Sequence, residues 1–392
     1  MTTVTRYYRV NGLVQGVGFR PTVYRIAKEL SLVGEVFNDA DGVGVYLVGP
    51  QTVVEQFPDC LIANKPPLSR IDRIFEVPCE PRQYDEFIIT ASVTGKVSTN
   101  ITADAATCDS CLEDMFTKGN RRWRYAFTNC THCGPRFTIT RHLPYDRPQT
   151  SMAPFVMCEH CQAEYDDPLD RRFHAQPNAC PECGPLLRLT LADRQVLDGD
   201  PIVRAVGMIR DGLIVAVKGL GGFHLVCDAR NAKAVARLRE RKHRYEKPLA
   251  IMVANLPSAK AVANVDVAGE RLLTSVSRPI VLLPKKAGVE LEGIAPFMSD
   301  YGVMLPYTPV HWLLFHELAG CPEGVDWTKN QVVEHALVMT SANPGGEPLV
   351  IDNDEAYERL ENIADAWLLH DRDILIRCDD SVVRMIGDSP VF

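Results

Sequence analysis

The sequence predicts an α/β chain of several domains: a ferredoxin-like α+β domain, then a duplicated four-cysteine module, then a larger α/β domain. Its 392 residues are enough for two or three domains. The composition, 46% hydrophobic and 23% charged, is that of a folded globular protein. Eight of the 13 cysteines form four Cys-x-x-Cys pairs. We place the domains at residues 1–92, 93–198 and 199–392.

Charge and hydropathy argue against several classes of function. The net charge of −8 argues against a general nucleic-acid or anionic-membrane binder. The N-terminal residues lack the apolar core of a signal peptide. The most apolar stretch, residues 213–227, is too short and too polar to span a bilayer. We therefore expect a cytoplasmic protein without a membrane partner, whose paired cysteines bind metal instead of forming disulfides.

The elements of residues 1–92 follow the ferredoxin-like order β-α-β-β-α-β. Residues 21–30 carry apolar side chains at helical spacing, and Pro21 suits a first helical turn. Asp41-Gly42 is a hairpin signal between two strands. The pattern predicts strands over residues 6–14, 33–38, 43–48, 70–77 and 86–91, and helices over residues 21–30 and 52–63.

The cysteine pairs of residues 93–198 form two quartets of the form Cys-x2-Cys-x18-Cys-x2-Cys, and the second repeats the first after 50 residues. This spacing indicates an internal duplication. Four thiolates complete the tetrahedron that Zn²⁺ prefers and leave no ligand position open, so we predict two structural zinc ions. The predicted zinc ligands are Cys108, Cys111, Cys130 and Cys133 of the first quartet (residues 108–133) and Cys158, Cys161, Cys180 and Cys183 of the second (residues 158–183). The sequence leaves open how the cysteine pairs of the two quartets combine around the two ions.

Two other interpretations of the cysteine pairs are redox dithiols and nucleic-acid-binding zinc ribbons. A redox site needs only one pair. Residues 93–198 contain 12 basic and 13 acidic side chains, so they carry no basic field for a nucleic acid. His132 and His160 lie inside cysteine pairs, and we expect both to face solvent. No chemistry is assigned to the five remaining cysteines, Cys60, Cys79, Cys227, Cys321 and Cys378.

Residues 199–392 return to alternating strands and helices, the pattern of an α/β domain. The predicted strands cover residues 213–218, 249–253, 280–283 and 336–340, and the predicted helices cover residues 231–243, 310–318 and 353–363.

A glycine-containing loop joins the first strand to the first helix, with the sequence Val-Gln-Gly-Val-Gly-Phe-Arg-Pro at residues 14–21. Two glycines let backbone N–H groups point inward, the helix start adds partial positive charge, and Arg20 adds a forked guanidinium. A plain strand-to-helix turn is the alternative. Asn38, at the end of the next predicted strand, could lie beside this loop.

This segment resembles the acylphosphatase family, whose signature matches Gly12, residues 14–20 and Asn38. The resemblance covers roughly residues 5–92. It implies that Arg20 and the amides of the loop bind a phosphate, and that Asn38 orients the attacking water. Stabilisation of the negative charge on the phosphate and positioning of the water would then account for the rate of hydrolysis. The loop residues are Gln15, Gly16, Val17, Gly18 and Phe19.

In residues 199–392 the basic cluster at residues 241–247 could be only a solvated helix end. With residues 341–343 and 379–384, however, it resembles the YrdC family, which makes carbamoyl-type adenylates from ATP. The nucleotide-binding residues that this resemblance implies are Lys218, Lys242, Arg244, Lys247, Ser341, Asn343 and Arg384. Residues 218–225, Lys-Gly-Leu-Gly-Gly-Phe-His-Leu, replace the threonine-binding run of the tRNA-modifying members, which argues against a threonine-based substrate.

The order of the three modules resembles the hydrogenase-maturation carbamoyltransferase family, HypF, and residues 129–138, 167–177 and 218–225 are specific to it. The resemblance implies that carbamoyl phosphate is split at the first site and that the carbamate attacks ATP at the second. Carbamoyl adenylate and pyrophosphate would form, with Mg²⁺ neutralising the phosphates. The carbamoyl group would pass to the C-terminal cysteine of a HypE-type protein and become a cyanide ligand of [NiFe]-hydrogenase.

In that family a further C-terminal domain performs the final transfer, and this sequence stops before it. We therefore expect these residues to split carbamoyl phosphate and form the adenylate without completing the transfer. Two alternatives remain: a threonylcarbamoyl-adenylate synthase of tRNA modification, and a non-catalytic zinc scaffold or nucleic-acid adaptor.

Overall fold

The computed structural model describes residues 2–39, 42–90, 101–142, 145–387 and 389–392. It divides into two compact units, one of Met1–Ala103 and Asn129–Ala179, the other of Asp104–Thr128 and Cys180–Phe392. Asp41 of the predicted hairpin and Ala91 of the predicted strand over residues 86–91 lie outside the described residues. Among the helices that the structure describes, none is both long and apolar enough to cross a membrane.

The first unit contains a five-stranded sheet in the order β4-β1-β3-β2-β5. This confirms the ferredoxin-like arrangement, to which β5 adds a parallel edge strand beside β2. The elements, in chain order, are β1 (Thr3–Leu13), α1 (Phe19–Glu29), β2 (Val33–Asp39), β3 (Gly42–Pro50), α2 (Gln51–Val54), α3 (Phe57–Ala63), β4 (Arg70–Val77) and β5 (Phe87–Ile89).

Helix α1 packs one apolar face on this sheet. Its buried residues recur at helical spacing, as the sequence predicted: Phe19, Thr22, Val23, Ile26 and Ala27. The single helix predicted over residues 52–63 is instead two helices, α2 and α3. Pro58 lies in the first turn of α3, where its missing N–H costs nothing. A proline here favours the start of a new helix over the continuation of α2.

The two cysteine quartets repeat their local backbone, as the duplication predicts. Helices α4 (Asp109–Phe116) and α5 (Glu159–Asp166) each begin directly after the first cysteine of a quartet. Arg124 and His174, also 50 residues apart, both adopt positive φ, at 53° and 51°. Non-glycine residues rarely adopt this conformation, so its recurrence at the same repeat position is evidence for a common ancestor of the two halves.

The second unit contains a mixed ten-stranded sheet in the order β15-β14-β10-β11-β9-β12-β8-β7-β13-β6. Its strands are β6 (Leu187–Thr190), β7 (Val215–Lys218), β8 (Phe223–Asp228), β9 (Ala250–Val253), β10 (Ile280–Pro284), β11 (Asp300–Met304), β12 (Ala336–Ser341), β13 (Ala366–His370), β14 (Val382–Ile386) and β15 (Ser389–Val391). The remaining helices are α6 (Pro201–Arg210), α7 (Ala232–Arg241), α8 (Leu256–Val262), α9 (Val267–Thr274), α10 (Pro309–Leu318), α11 (Trp327–Asn330) and α12 (Asn353–Leu360).

Every strand and helix that the sequence predicted between residues 199 and 392 is present in this unit. The central strands β8, β9 and β12 are buried almost throughout and supply much of one hydrophobic core. Buried strands of this kind read as continuous apolar runs in the sequence. The sheet therefore forms a rigid platform, from which the loops at the ends of β7, β12 and β13 carry the polar groups described below.

Candidate functional site

The predicted phosphate loop, residues 15–20, lies at the edge of the sheet where β1 and β2 both end. These strands flank β3 and run antiparallel to it, so their carboxyl ends lie at the same edge. Gln15 Nε2 donates hydrogen bonds of 2.9 Å to the carbonyl oxygens of Asp39 and Gly42. This links the loop to the end of β2, the strand that carries Asn38.

The loop has the conformation that an anion site requires. Gly16 and Gly18 adopt left-handed φ values of 70° and 76°, which side chains with a Cβ disfavour. Val17 and Phe19 between and after them are buried and fix the loop to the core. Gly18 caps α1 without a side-chain hydrogen bond. The first N–H groups of α1 are therefore not capped by a side chain and, with the helix dipole, favour a bound phosphate.

The Arg20 guanidinium makes no hydrogen bond or ion pair with any residue that the structure describes. Burial lowers its pKa, while the Asp146 carboxylate and the Tyr165 hydroxyl act in the opposite direction. Asn38 is 8% exposed, and its buried Oδ1 has no hydrogen-bond partner within the described part of the chain. A bound phosphate would provide the partner for the Arg20 guanidinium, and a bound water molecule would provide the partner for Asn38 Oδ1.

His132 is not solvent-facing, and the prediction that it would be is wrong. Its side chain is half-buried, with Nε2 3.4 Å from the position that a Cβ on Gly18 would occupy. His160, the other histidine inside a cysteine pair, is exposed as predicted. The spacing of the cysteines predicted which residues could bind metal, but it carried no information about the contacts of the side chains between them.

The eight paired cysteines gather into the two predicted groups of four, and within each group the sulfur atoms lie within 4.8 Å of one another. The Sγ atoms of Cys130 and Cys133 are 3.8 Å apart, as are those of Cys180 and Cys183. Tetrahedral zinc, with Zn–S bonds of about 2.3 Å, sets its ligand sulfurs about 3.8 Å apart. The donor sets and this spacing fit one structural zinc ion in each quartet.

We expect the purified chain to bind two zinc ions, and Cys133→Ser to bind one. Each ion should stabilise the cysteine-rich segments by on the order of 10 kcal/mol, since these segments have little apolar core of their own. Metal content by mass spectrometry and thermal unfolding check both expectations. Cys79→Ser is the control, because Cys79 lies outside both quartets and should leave two ions bound. A wild-type chain with fewer than two ions would contradict the prediction.

In the second unit, Lys242 joins the predicted nucleotide-binding residues Ser341 and Asn343. Its Nζ donates to the carbonyl oxygen of Ser341, and to the carbonyl and Oδ1 of Asn343 at 3.0 and 3.1 Å. Burial, together with the nearby Arg244 charge, lowers the pKa of Lys242 to about 8 against an opposing effect of Asp379. Burial also lowers the pKa of Arg244, and Asp379 again opposes the shift. These residues form one polar cluster at the end of β12.

The other three predicted nucleotide-binding residues make different contacts. Lys218 is buried, donates to the carbonyl oxygen of His370 at 3.1 Å, and has its pKa lowered to about 8 by burial. Lys247 is exposed. Arg384 pairs with Asp300 at 2.5 Å. Within the described residues, none of the three forms a hydrogen bond with Lys242. Their roles remain predictions.

Sequence reasoning missed a buried group next to the Lys242 cluster. His224 faces Ser341 across the β8–β12 pair, and its Nε2 lies 2.8 Å from Asp380 Oδ2. Tyr307 also hydrogen-bonds Asp380. His311, fully buried, packs its ring on Tyr307, and burial lowers its pKa to about 3. His224 and Asp380 lie in the motifs at residues 218–225 and 379–384, whereas no sequence motif pointed to Tyr307 or His311.

Comparisons with known proteins match this arrangement along most of the chain. Residues 6–89 match the Acylphosphatase family, residues 107–140 and 157–190 match the HypF finger, and residues 207–392 match the Telomere recombination family (Sua5/YciO/YrdC). Carbamoyltransferase HypF2 of Cupriavidus necator is 55% identical over 392 residues, which cover 98% of this chain and 48% of that protein. Along almost its whole length, the chain is therefore similar to about half of a HypF carbamoyltransferase.

Further relatives agree with this assignment. Carbamoyltransferase HypF of Rhodobacter capsulatus is 49% identical over 378 residues, covering 96% of this chain and 48% of that protein. The crystal structure of full-length HypF in its phosphate- and nucleotide-bound form is 42% identical, with a TM-score of 0.89, and the match covers 99% of this chain and 49% of that one. The chain thus spans about half the length of the HypF proteins it matches.

Proposed function

We propose that this chain performs the first two reactions of a HypF carbamoyltransferase: hydrolysis of carbamoyl phosphate at the residue 15–20 loop, and formation of carbamoyl adenylate at the Lys242 cluster. In the first reaction, water oriented by Asn38 attacks phosphorus, and the bond from phosphorus to the carbamate oxygen breaks. Arg20 and the loop amides stabilise the negative charge on the transferring phosphoryl group. Phosphate and carbamate are the products.

Two groups without hydrogen-bond partners among the described residues carry this assignment: the Arg20 guanidinium, which follows a loop of left-handed glycines, and Asn38 Oδ1 at the end of β2. Neither a zinc scaffold nor a nucleic-acid adaptor needs this arrangement. Burying an unpaired guanidinium costs folding free energy, so its presence points to an anionic ligand. The phosphate named in the solved HypF structure supports the same assignment.

In the second reaction, a carbamate oxygen attacks the α-phosphorus of ATP, and pyrophosphate leaves. Lys242 and Arg244 would hold the phosphates, while Ser341 and Asn343 position Lys242 through their hydrogen bonds. ATP arrives as its Mg²⁺ complex, so this ion enters with the substrate. The buried His224–Asp380 pair lies beside Ser341, where it could contact the acyl end of the adenylate.

The remaining parts of the proposal concern the biological setting. The carbamoyl group would finally pass to the C-terminal cysteine of a HypE-type protein and serve the cyanide ligands of [NiFe]-hydrogenase. We place the reaction in the cytoplasm, where thiols stay reduced, consistent with the absence of disulfides among the described cysteines. The domain limits at residues 92 and 198 remain part of the proposal.

The decisive test measures phosphate and pyrophosphate together. The chain should release phosphate from carbamoyl phosphate alone, and should release pyrophosphate from ATP only when carbamoyl phosphate is present. Pyrophosphate formation that instead needs threonine and bicarbonate would replace the proposal with a threonylcarbamoyl-adenylate synthase. Release of neither product would leave a non-catalytic scaffold.

We expect Asn38→Ala to lower kcat for phosphate release about 10²-fold while changing the Kd for inorganic phosphate less than about threefold. The reason is that the loop and Arg20 hold the phosphate, whereas Asn38 positions the water that attacks it. Kinetics and calorimetric phosphate titration separate the two effects. Asn64→Ala is the control, because Asn64 is exposed and its side chain hydrogen-bonds the carbonyl oxygen of Cys60 in its own helix α3. An unchanged kcat in Asn38→Ala would remove Asn38 from the mechanism.

A further inference from the structure

The phosphate loop contacts a segment that lies outside the part of the chain that matches the Acylphosphatase family, residues 6–89. This segment is the cysteine turn 130–136, which begins with two ligands of the first predicted zinc ion. It belongs to the same compact unit as the loop. Its contacts with the loop come from residues about 120 positions away in the chain.

The contacts fall on the two glycines that shape the loop. At Gly18, a Cβ would lie 2.9 Å from Thr131 Oγ1 and 3.4 Å from His132 Nε2, so these two side chains fill the space beside the glycine where a side chain would project. At Gly16, the carbonyl oxygen accepts a 3.4 Å hydrogen bond from Arg136 Nε. Each left-handed glycine of the loop therefore has a partner in the cysteine turn.

The cysteine turn is itself rigid. Arg136 is 2% exposed and donates to the carbonyl oxygens of Gly134 and Thr131 at 2.9 and 2.5 Å. The Thr131 hydroxyl donates to the carbonyl oxygen of Arg171 at 3.0 Å. The N–H of His132 donates to Cys130 Sγ at 3.3 Å. Zinc bound by Cys130 and Cys133 would therefore stiffen the same short segment that contacts the loop.

We propose that the cysteine turn 130–136 is a positioning element of the phosphate site, and that His132 and Thr131 hold Gly18 in its anion-binding conformation. Glycine loses more conformational freedom on ordering than any other residue, so a loop with two glycines pays a large entropic cost when it closes on a phosphate. Packing that orders the loop beforehand lowers this cost and raises affinity. The first zinc cluster thereby contributes to acyl-phosphate binding without touching the substrate.

This inference rests on the proposed function, but its main measurement, the Kd for inorganic phosphate, does not depend on which acyl phosphate is the substrate. In the full chain, His132→Ala should raise the Kd for inorganic phosphate, measured by calorimetry, about tenfold, which corresponds to about 1.4 kcal/mol. The KM for carbamoyl phosphate should rise by a similar factor, with kcat changed less than about threefold. Thr131→Val should raise both constants about threefold, because it removes the hydroxyl at Gly18 and keeps the shape of the side chain.

His160→Ala is the matched control. It also removes an imidazole from inside a cysteine pair, but His160 is exposed, so zinc content, phosphate affinity and KM should all stay at wild-type values. Zinc content is measured for every variant, and His132→Gln, which keeps a planar polar group, should restore most of the affinity that His132→Ala loses.

Wild-type phosphate affinity and KM in both His132→Ala and Thr131→Val would overturn the inference, whether or not zinc is retained. A lowered affinity in a folded variant supports it in either case, since loss of zinc would also act through the turn. If the wild-type chain binds phosphate but does not hydrolyse carbamoyl phosphate, the proposed substrate fails, while the phosphate Kd still tests the role of the turn.

Discussion

Arg20→Ala should lower kcat/KM for carbamoyl phosphate roughly 10³-fold, the largest effect we expect from any single substitution in this chain. Arg20 is the cation within the phosphate loop to which we assign contact with the substrate, and arginine strongly stabilises the charge of a transferring phosphoryl group. Arg20→Lys should recover part of the loss, because lysine keeps the charge but not the forked geometry. Phosphate release under single-turnover conditions measures the effect.

The same substitution should leave the fold intact. Burial lowers the pKa of Arg20, which means that the folded chain holds this cation at a cost when no anion is bound. Removing it should therefore keep or raise the thermal unfolding temperature in phosphate-free buffer. Arg25→Ala is the matched control on the same helix, because its side chain is 56% exposed and pairs only loosely with Glu29. Activity near wild type in Arg20→Ala would refute the assignment of the site.

Lys242→Ala should lower ATP–pyrophosphate exchange about 10²-fold while leaving phosphate release from carbamoyl phosphate unchanged. Lys242 is the cation at the centre of the Ser341–Asn343 cluster, so its loss removes charge from the proposed phosphate site and frees that turn. Lys233→Ala is the matched control, since Lys233 is an exposed residue of α7, the helix that ends beside Lys242. Parallel loss of both activities would show general unfolding instead of a nucleotide site.

The pH dependence provides an independent test of Lys242. Burial lowers the pKa of Lys242 to about 8, so the side chain is charged below pH 8 and loses its proton above it. The kcat/KM for ATP should therefore fall as pH rises through about 8. Lys242→Arg should remove this decline, because arginine stays protonated throughout this range. A decline that persists in Lys242→Arg would point to another group, such as Lys218, whose pKa burial also lowers to about 8.

Local sequence patterns predicted the parts of the sites that depend on neighbouring residues. The loop at residues 15–20 could be predicted because two glycines and a helix start determine where its own N–H groups point. The zinc groups could be predicted because each Cys-x-x-Cys turn brings two sulfurs together by itself. The interruption between α2 and α3 was missed, although Pro58 marked it, because apolar periodicity continues across both helices.

Contacts between distant segments could not be predicted in this way. Tyr307 and His311, around the start of α10, meet His224 of β8 and Asp380, which precedes β14, only in the folded chain. A single buried histidine has no signature in the sequence. The same is true of His132, whose position inside a cysteine pair suggested exposure. Tertiary packing decided both cases, since burial depends on which segment meets which.

By itself, the sequence determined the ferredoxin-like order, the two four-cysteine groups, and the candidate residues Arg20, Asn38, Lys242, Ser341 and Asn343. The element order follows from periodicity and the cysteine groups from ligand spacing, whereas the candidate residues follow from the resemblance of their motifs to known families. Only the tertiary structure decided that Arg20 and the Asn38 Oδ1 lack hydrogen-bond partners within the described part of the chain, and that the cysteine turn 130–136 lies against Gly18. The physical reason is that desolvation and packing depend on the summed surroundings of an atom, and segments more than 100 residues apart supply them here.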